Sequence, residues 1–146
     1  MRTPSQTVGP YFALGLCVRP QHELPGGAVR VQGQVFDGEG APIDDAMLEL
    51  WDPASGWGRC GTDKEGRYAF LVPERARRFE LTLFARGLLK PALTRLYLDP
   101  AGAEDPTMVA ERDDGGYRFD IHLQGDVATA FFQLWPDQEA SQEGSQ

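Results

Sequence analysis

Few side chains in this sequence have both the type and the setting for chemistry, and Arg86 is the foremost of them. It closes the run Phe79-Glu80-Leu81-Thr82-Leu83-Phe84-Ala85-Arg86 and is followed by Gly87. A guanidinium held at a strand end can grip a carboxylate through two parallel hydrogen bonds. The other chemistry-bearing groups do not assemble into known patterns. Cys17, Cys60, His22 and His122 fall in no zinc-ligand spacing. Ser5 could pair with a histidine as a nucleophile, but no Gly-x-Ser-x-Gly elbow is present. Asp37, Glu39, Asp44 and Asp45 lie close together without the calcium-loop spacing, and acids in turns chiefly shape the turn. Tyr11, Tyr68, Tyr97 and Tyr117 sit mostly in apolar alternating runs, as packing groups do.

The elements that must position these residues are short strands. Val29, Val31, Gly33 and Val35 alternate with Arg30, Gln32, Gln34 and Phe36, the period of a strand with one buried face. Asp37-Gly38-Glu39-Gly40 turns the chain. Residues 47–51 and 67–72 predict two more strands, joined by a compact glycine-rich connection containing Trp57. Residues 79–86 form the next, with Phe79, Leu81, Leu83 and Ala85 on the core face. Phe84 on the opposite face implies that this side is covered too. Residues 93–98, 117–124 and 128–132 complete the strands. Asp105-Pro106 reads as a cap and first position of a short helix through Arg112. Strands and turns at this spacing predict an all-β fold, a single antiparallel β-sandwich with one short helix and an extended N-terminal tail.

Composition narrows the function. The 146 residues suffice for one domain with a real core. A formal charge of −8 disfavours a nucleic-acid interface. No run is long and apolar enough to span a bilayer, and the first ten residues lack a signal core, so a cytoplasmic protein with two reduced thiols is expected. The expected organisation is an extended arm over residues 1–28, a sandwich over 29–134 and a polar, disordered tail over 135–146. Pro4, Gly9 and Pro10 forbid a helix in the arm, and Tyr11, Phe12, Leu14 and Leu16 make it too apolar for a free tail.

Several motifs, in order along nearly the whole chain, carry a resemblance. They are T-P-S-Q-T-V-G-P-Y (3–11), V-x-G-x-V-x-D-G-x-G-x-P (31–42), D-A-M-L-E-L-W (45–51), T-D-x-x-G-x-Y-x-F (62–70), L-F-A-R-G-L-L-K (83–90), T-R-L-Y (94–97) and Y-R-F-D-I-x-L-Q-G (117–125). Together they resemble the intradiol ring-cleavage dioxygenases, and in detail the iron-free α subunit of the heteromeric members. The resemblance implies a non-haem Fe(III) bound by two tyrosines and two histidines, a hard ion suited to phenolate and imidazole. It puts Arg78 and Glu80 where the two histidines of an iron-bearing β subunit would stand, and Tyr68 on a structural strand. The iron is therefore expected in a partner β subunit, with no catalytic or metal residue in this chain. Thr7, Gly9, Pro10, Tyr11 and Arg86 are the positions it implies for lending pocket walls to that partner. The implied reaction is cleavage of 3,4-dihydroxybenzoate by O2 to 3-carboxy-cis,cis-muconate. The alternative is a stand-alone, transthyretin-like binding module.

Overall fold

The computed structural model describes residues 20–132. Among the described residues nine strands run in the order β1 (Val29–Phe36), β2 (Met47–Asp52), β3 (Gly56–Gly61), β4 (Arg67–Val72), β5 (Arg78–Phe84), β6 (Ala92–Tyr97), β7 (Glu111–Asp113), β8 (Gly116–Arg118) and β9 (Ile121–His122). They make two packed sheets. One has the order β4-β1-β8-β7, with β9 beside the far end of β1, and the other has the order β3-β2-β5-β6. The alternation of β1 and β5 explains the arrangement. Val31, Gly33 and Val35 from one sheet, and Phe79, Leu81 and Leu83 from the other, point into a shared core with Leu48, Leu50 and Phe70. Each such apolar side chain contributes about 1.5–3 kcal/mol on burial. Leu24, from the segment preceding β1, is also fully buried in that core. Its segment bridges both sheets, through Gln21 to Arg59 and through Glu23 to Leu71.

The fold is the expected β-sandwich, and four local expectations are corrected. The connection after Trp51 contains a strand, β3, which pairs antiparallel along all of β2. The predicted helix shrinks to a 3-10 turn at Pro106–Met108. Asp105 caps it as expected, accepting from the Thr107 amide at 2.8 Å. It stops because Val109 bridges Tyr97 and the Ala110 amide donates to the Tyr97 carbonyl at 2.8 Å, which draws the chain into extended backbone. Residues 128–132 form no strand. The Thr94 hydroxyl donates to the Ala130 carbonyl at 2.7 Å, leaving a single bridge from Leu93 to Phe132.

The fourth correction concerns residues 117–124, which break into β8 and β9 and lie parallel to β1. At the break the Phe119 amide reaches the Gln32 carbonyl at 2.8 Å. The Asp120 carboxylate then replaces a backbone acceptor, taking the Gln34 amide at 3.0 Å. The Phe119 carbonyl turns inward over Gly33, only 1.8 Å from where a Cβ would stand. The buried Tyr68 hydroxyl donates to that same carbonyl. Burial first, and then the nearby Asp120 carboxylate, push the Tyr68 phenol well above its ordinary value.

Tyr68→Phe is expected to cost about 1–3 kcal/mol, since a buried carbonyl loses its donor. The unfolded chain ionises this phenol near its ordinary pKa of 10.0, while the folded chain keeps the proton. Above that pH the unfolded state binds fewer protons, so wild-type stability falls with rising pH. Urea titrations should therefore show the gap between wild type and Tyr68→Phe closing above pH 10. A gap that is constant with pH would mean that Tyr68 titrates normally in the fold.

Candidate functional site

The register of the four-stranded sheet lays one transverse row across its outer face. Trp57 on β3 pairs with Trp51 on β2, Trp51 with Glu80 on β5, and Glu80 with Arg95 on β6. The next row holds Arg59, Glu49, Thr82 and Leu93. This face carries the two positions that the resemblance assigns to missing ligands. Arg78 is exposed at the start of β5, opposite Tyr97. Glu80 accepts from Arg95 Nε at 2.9 Å.

That pair belongs to a network. Arg95 also pairs with Glu104, and the Tyr97 hydroxyl donates to Glu104 Oε2 at 2.5 Å. The Arg95 guanidinium stands 4.8 Å from the centre of the Phe132 ring. The Tyr97 hydrogen bond, aided by Arg95, holds the Glu104 carboxyl below its ordinary value. Hydrogen bonding to Glu80, the largest of several influences, holds the Arg95 guanidinium above its own. Arg59 on the neighbouring row pairs with Glu49 at 2.5 Å and lies 4.8 Å from the Trp57 ring centre. The indoles remain partly open, Trp51 at 48% and Trp57 at 37%.

The remaining candidates lie apart. Arg86 follows β5 on the same sheet, its Nε 3.2 Å from Asp45, with 63% of its side chain exposed. Gly87, at φ 86°, turns the backbone immediately after it. His122 stacks on Phe36 with ring centres 4.9 Å apart, on the other sheet. His22 lies in the segment before β1, where its carbonyl accepts from Leu71 at 3.0 Å. The half-buried Cys60 thiol donates to the Gly61 carbonyl at 3.2 Å. Thr7, Gly9, Pro10, Tyr11 and Cys17 fall outside the described residues.

Glu104 and Arg95 were not singled out from the sequence, and Asp45 was read only as a turn-forming acid. The alternation Leu93, Arg95, Tyr97 was the available signal for Arg95, since it sets the guanidinium and the phenol on one face of β6. Glu104 and Asp45 lie in loops, where no period predicts a partner.

These side chains do not fit a resident iron. Among the described residues no group of three or more histidine, cysteine or acidic side chains comes together. Glu80 is engaged by a guanidinium, and Arg78 has no lone pair to offer. Of the described tyrosines, Tyr68 donates inside the core, Tyr97 donates to Glu104, and Tyr117 lies under Arg112.

No family model matches the chain. The sequence is 35% identical to a protocatechuate 3,4-dioxygenase alpha chain of Burkholderia cepacia, covering 91% of this chain and 98% of that one. It is 33% identical to the alpha chain of Pseudomonas putida, covering 90% and 96%. A protocatechuate 3,4-dioxygenase beta chain of Burkholderia cepacia is 30% identical over 71% of this chain and 67% of that one. In fold, the dioxygenase domain of a carbohydrate-binding fusion from Streptomyces sp. SirexAA-E is similar at a TM-score of 0.55 and 23% identity, covering 86% and 99%. Catechol 1,2-dioxygenase from Pseudomonas arvilla C-1 is similar at 0.51 and 22%, covering 95% and 67%.

Sandwich and relatives together define a subunit of an intradiol ring-cleaving dioxygenase, a class that depends on iron. Within that class, the chain belongs to the protocatechuate 3,4-dioxygenase alpha chains.

Tyr97→Phe should move the Glu104 titration upward toward the ordinary carboxylate range, read by NMR of the side-chain carboxyl carbon. The depressed carboxyl of the wild type supports the fold above the unfolded-state pKa and stops doing so as pH falls through the folded value. An unmoved titration would show that the phenol does not hold this carboxylate.

Proposed function

We propose that this chain is the non-metallated alpha subunit of a protocatechuate 3,4-dioxygenase. In this reading it supports the intradiol cleavage of 3,4-dihydroxybenzoate (protocatechuate) by O2, giving 3-carboxy-cis,cis-muconate, at an Fe(III) site held by a cytoplasmic beta subunit. One observation carries the proposal: the positions assigned to imidazole ligands hold an exposed arginine and a glutamate already paired with Arg95. The existence of related alpha and beta chains under one enzyme name supports a heteromer. The exposed Trp51, Trp57 and Phe132 supply apolar area for a beta chain to cover.

Residues 20–28 pack on this chain's own sheets, so the part of the arm proposed to cross onto the partner in the complex is residues 1–19, with Thr7, Gly9, Pro10 and Tyr11 walling its pocket. Arg86 is proposed to meet the substrate carboxylate. Its geometry suits the task, because Asp45 meets the guanidinium at Nε while most of the side chain stays exposed. Positioning of this kind lowers a barrier by orienting the ring before reaction. Iron chemistry would belong wholly to the partner.

Purified alone, the chain should hold no stoichiometric iron and cleave no catechol. Co-expressed with a beta-type chain, it should yield a coloured ferric complex. Stoichiometric iron with activity in the lone chain would overturn the reading. In the complex, Arg86→Ala should raise KM for 3,4-dihydroxybenzoate about tenfold or more, the worth of a charged hydrogen bond, with assembly intact. Asp45→Asn should have a smaller effect. Unchanged kinetics in Arg86→Ala would remove that residue from the site.

A further inference from the structure

We propose a second site, for a small polycarboxylate, in the groove on the outer face of the five-stranded sheet. It lies on the opposite sheet from Glu80 and Arg86 and does not depend on the function proposed above. The groove has a volume of about 860 Å³ and is lined by Arg30, Gln32, Arg67 and Arg118, with His22 among the lining side chains. Strand register gathers these cations. Gln32 on β1 stands opposite Ala69 on β4 and Arg118 on β8, while Gln34 stands opposite Arg67. Ala69, a small side chain between longer ones, leaves the floor open.

The charges here are not balanced from within. Arg30 and Arg67 have no carboxylate partner among the described residues, and only Arg118 has one, Asp120 at 3.1 Å. Asp63 also lines the groove. Its Oδ1 already accepts from the amides of Glu65 and Arg67, at 2.9 Å each. Of the ten described arginines, five pair with a carboxylate, and Arg30 and Arg67 are among the other five. Three guanidiniums on one concave face, two of them without a carboxylate among the described residues, would favour an external anion.

The spread of the cations selects the kind of anion. Arg30 and the Arg67 position are separated by four residues of β1 register, about 13 Å at the usual strand rise. A single phosphate offers one charged centre, whereas two or three carboxylates on one small skeleton can give each guanidinium its own partner, in the planar, two-bonded geometry that arginine favours. The chain's own termini are poor occupants. Residues 1–19 contain no aspartate or glutamate. The acidic C-terminal residues follow Phe132, which bridges Leu93 on the far edge of the other sheet.

Isothermal titration of the full-length chain at low ionic strength tests the site, with tricarballylate, succinate, acetate and inorganic phosphate as probes. Expected is saturable, one-site binding of tricarballylate, with succinate weaker and acetate weaker still. Arg30→Gln and Arg67→Gln should each weaken it about tenfold. Lys90→Gln, an exposed charge on the other sheet, should leave it unchanged. Thermal melts of each variant check that the fold is kept. The proposal fails if no probe saturates, if phosphate binds as tightly as tricarballylate, or if the two arginine variants bind like wild type. It also fails if an acidic polyglutamate peptide binds while tricarballylate does not, which would make the groove a protein-docking face.

Discussion

A carbonyl group occupying the place of a missing side chain is the constraint on which this sandwich depends. The Phe119 carbonyl lies where a Cβ at residue 33 would be, and the Tyr68 hydroxyl donates to it from the core. Only glycine at 33 admits that approach. Three consequences follow. The strand must break after Arg118, because the backbone dips inward at Phe119. Asp120 must stand in for a backbone acceptor to keep β1 satisfied. The two pieces, β8 and β9, can then flank β1 in parallel, opposite the antiparallel β4. A buried phenol with a raised pKa is the residue of this arrangement that titration can see.

The outer face of the other sheet is set by strand register. Strand alternation projects the side chains of residues 78 and 80 outward, as the β5 pairing requires. A carboxylate beside a guanidinium is satisfied by its neighbour and has little tendency to recruit a metal. The network through Arg95 ties β5, β6 and the loop at Glu104 together, so the face serves as a structural surface. Individually such partly exposed pairs contribute about 0–1 kcal/mol, so their chief effect is to define geometry. Two open indoles beside them leave apolar area that a lone subunit does not cover.

Charge is distributed unevenly over the two sheets. On the four-stranded sheet the guanidiniums of Arg59, Arg86 and Arg95 each meet a carboxylate, as Arg118 does on the five-stranded sheet, while the exposed Arg78 meets none among the described residues. On the five-stranded sheet Arg30 and Arg67 meet none among the described residues. A net charge of −8 therefore conceals a local cationic groove, which no count over the whole chain could show.

Much of the fold was legible in advance. The alternation in residues 29–36 and 67–72 matched β1 and β4, because side-chain period directly reports which face is buried. Side-chain type at residues 78 and 80 was likewise legible, since the identity of Arg78 and Glu80 needs no coordinates. Other features depended on partners remote in sequence. The strand at Gly56–Gly61 was hidden because its glycines weaken any periodic signal, and pairing with β2 supplies what its own sequence lacks. The helix expected after Asp105 yielded to a bridge with Tyr97, a contact no local propensity encodes. The sequence by itself determined the strand faces, the β class and the chemistry that residues 78 and 80 cannot perform, since these follow from side-chain type and period. Tertiary structure alone decided the parallel pairing at β1, the coupling of Glu80 to Arg95 and Glu104, and the gathering of Arg30, Arg67 and Arg118, because each requires strands distant in the chain to lie side by side.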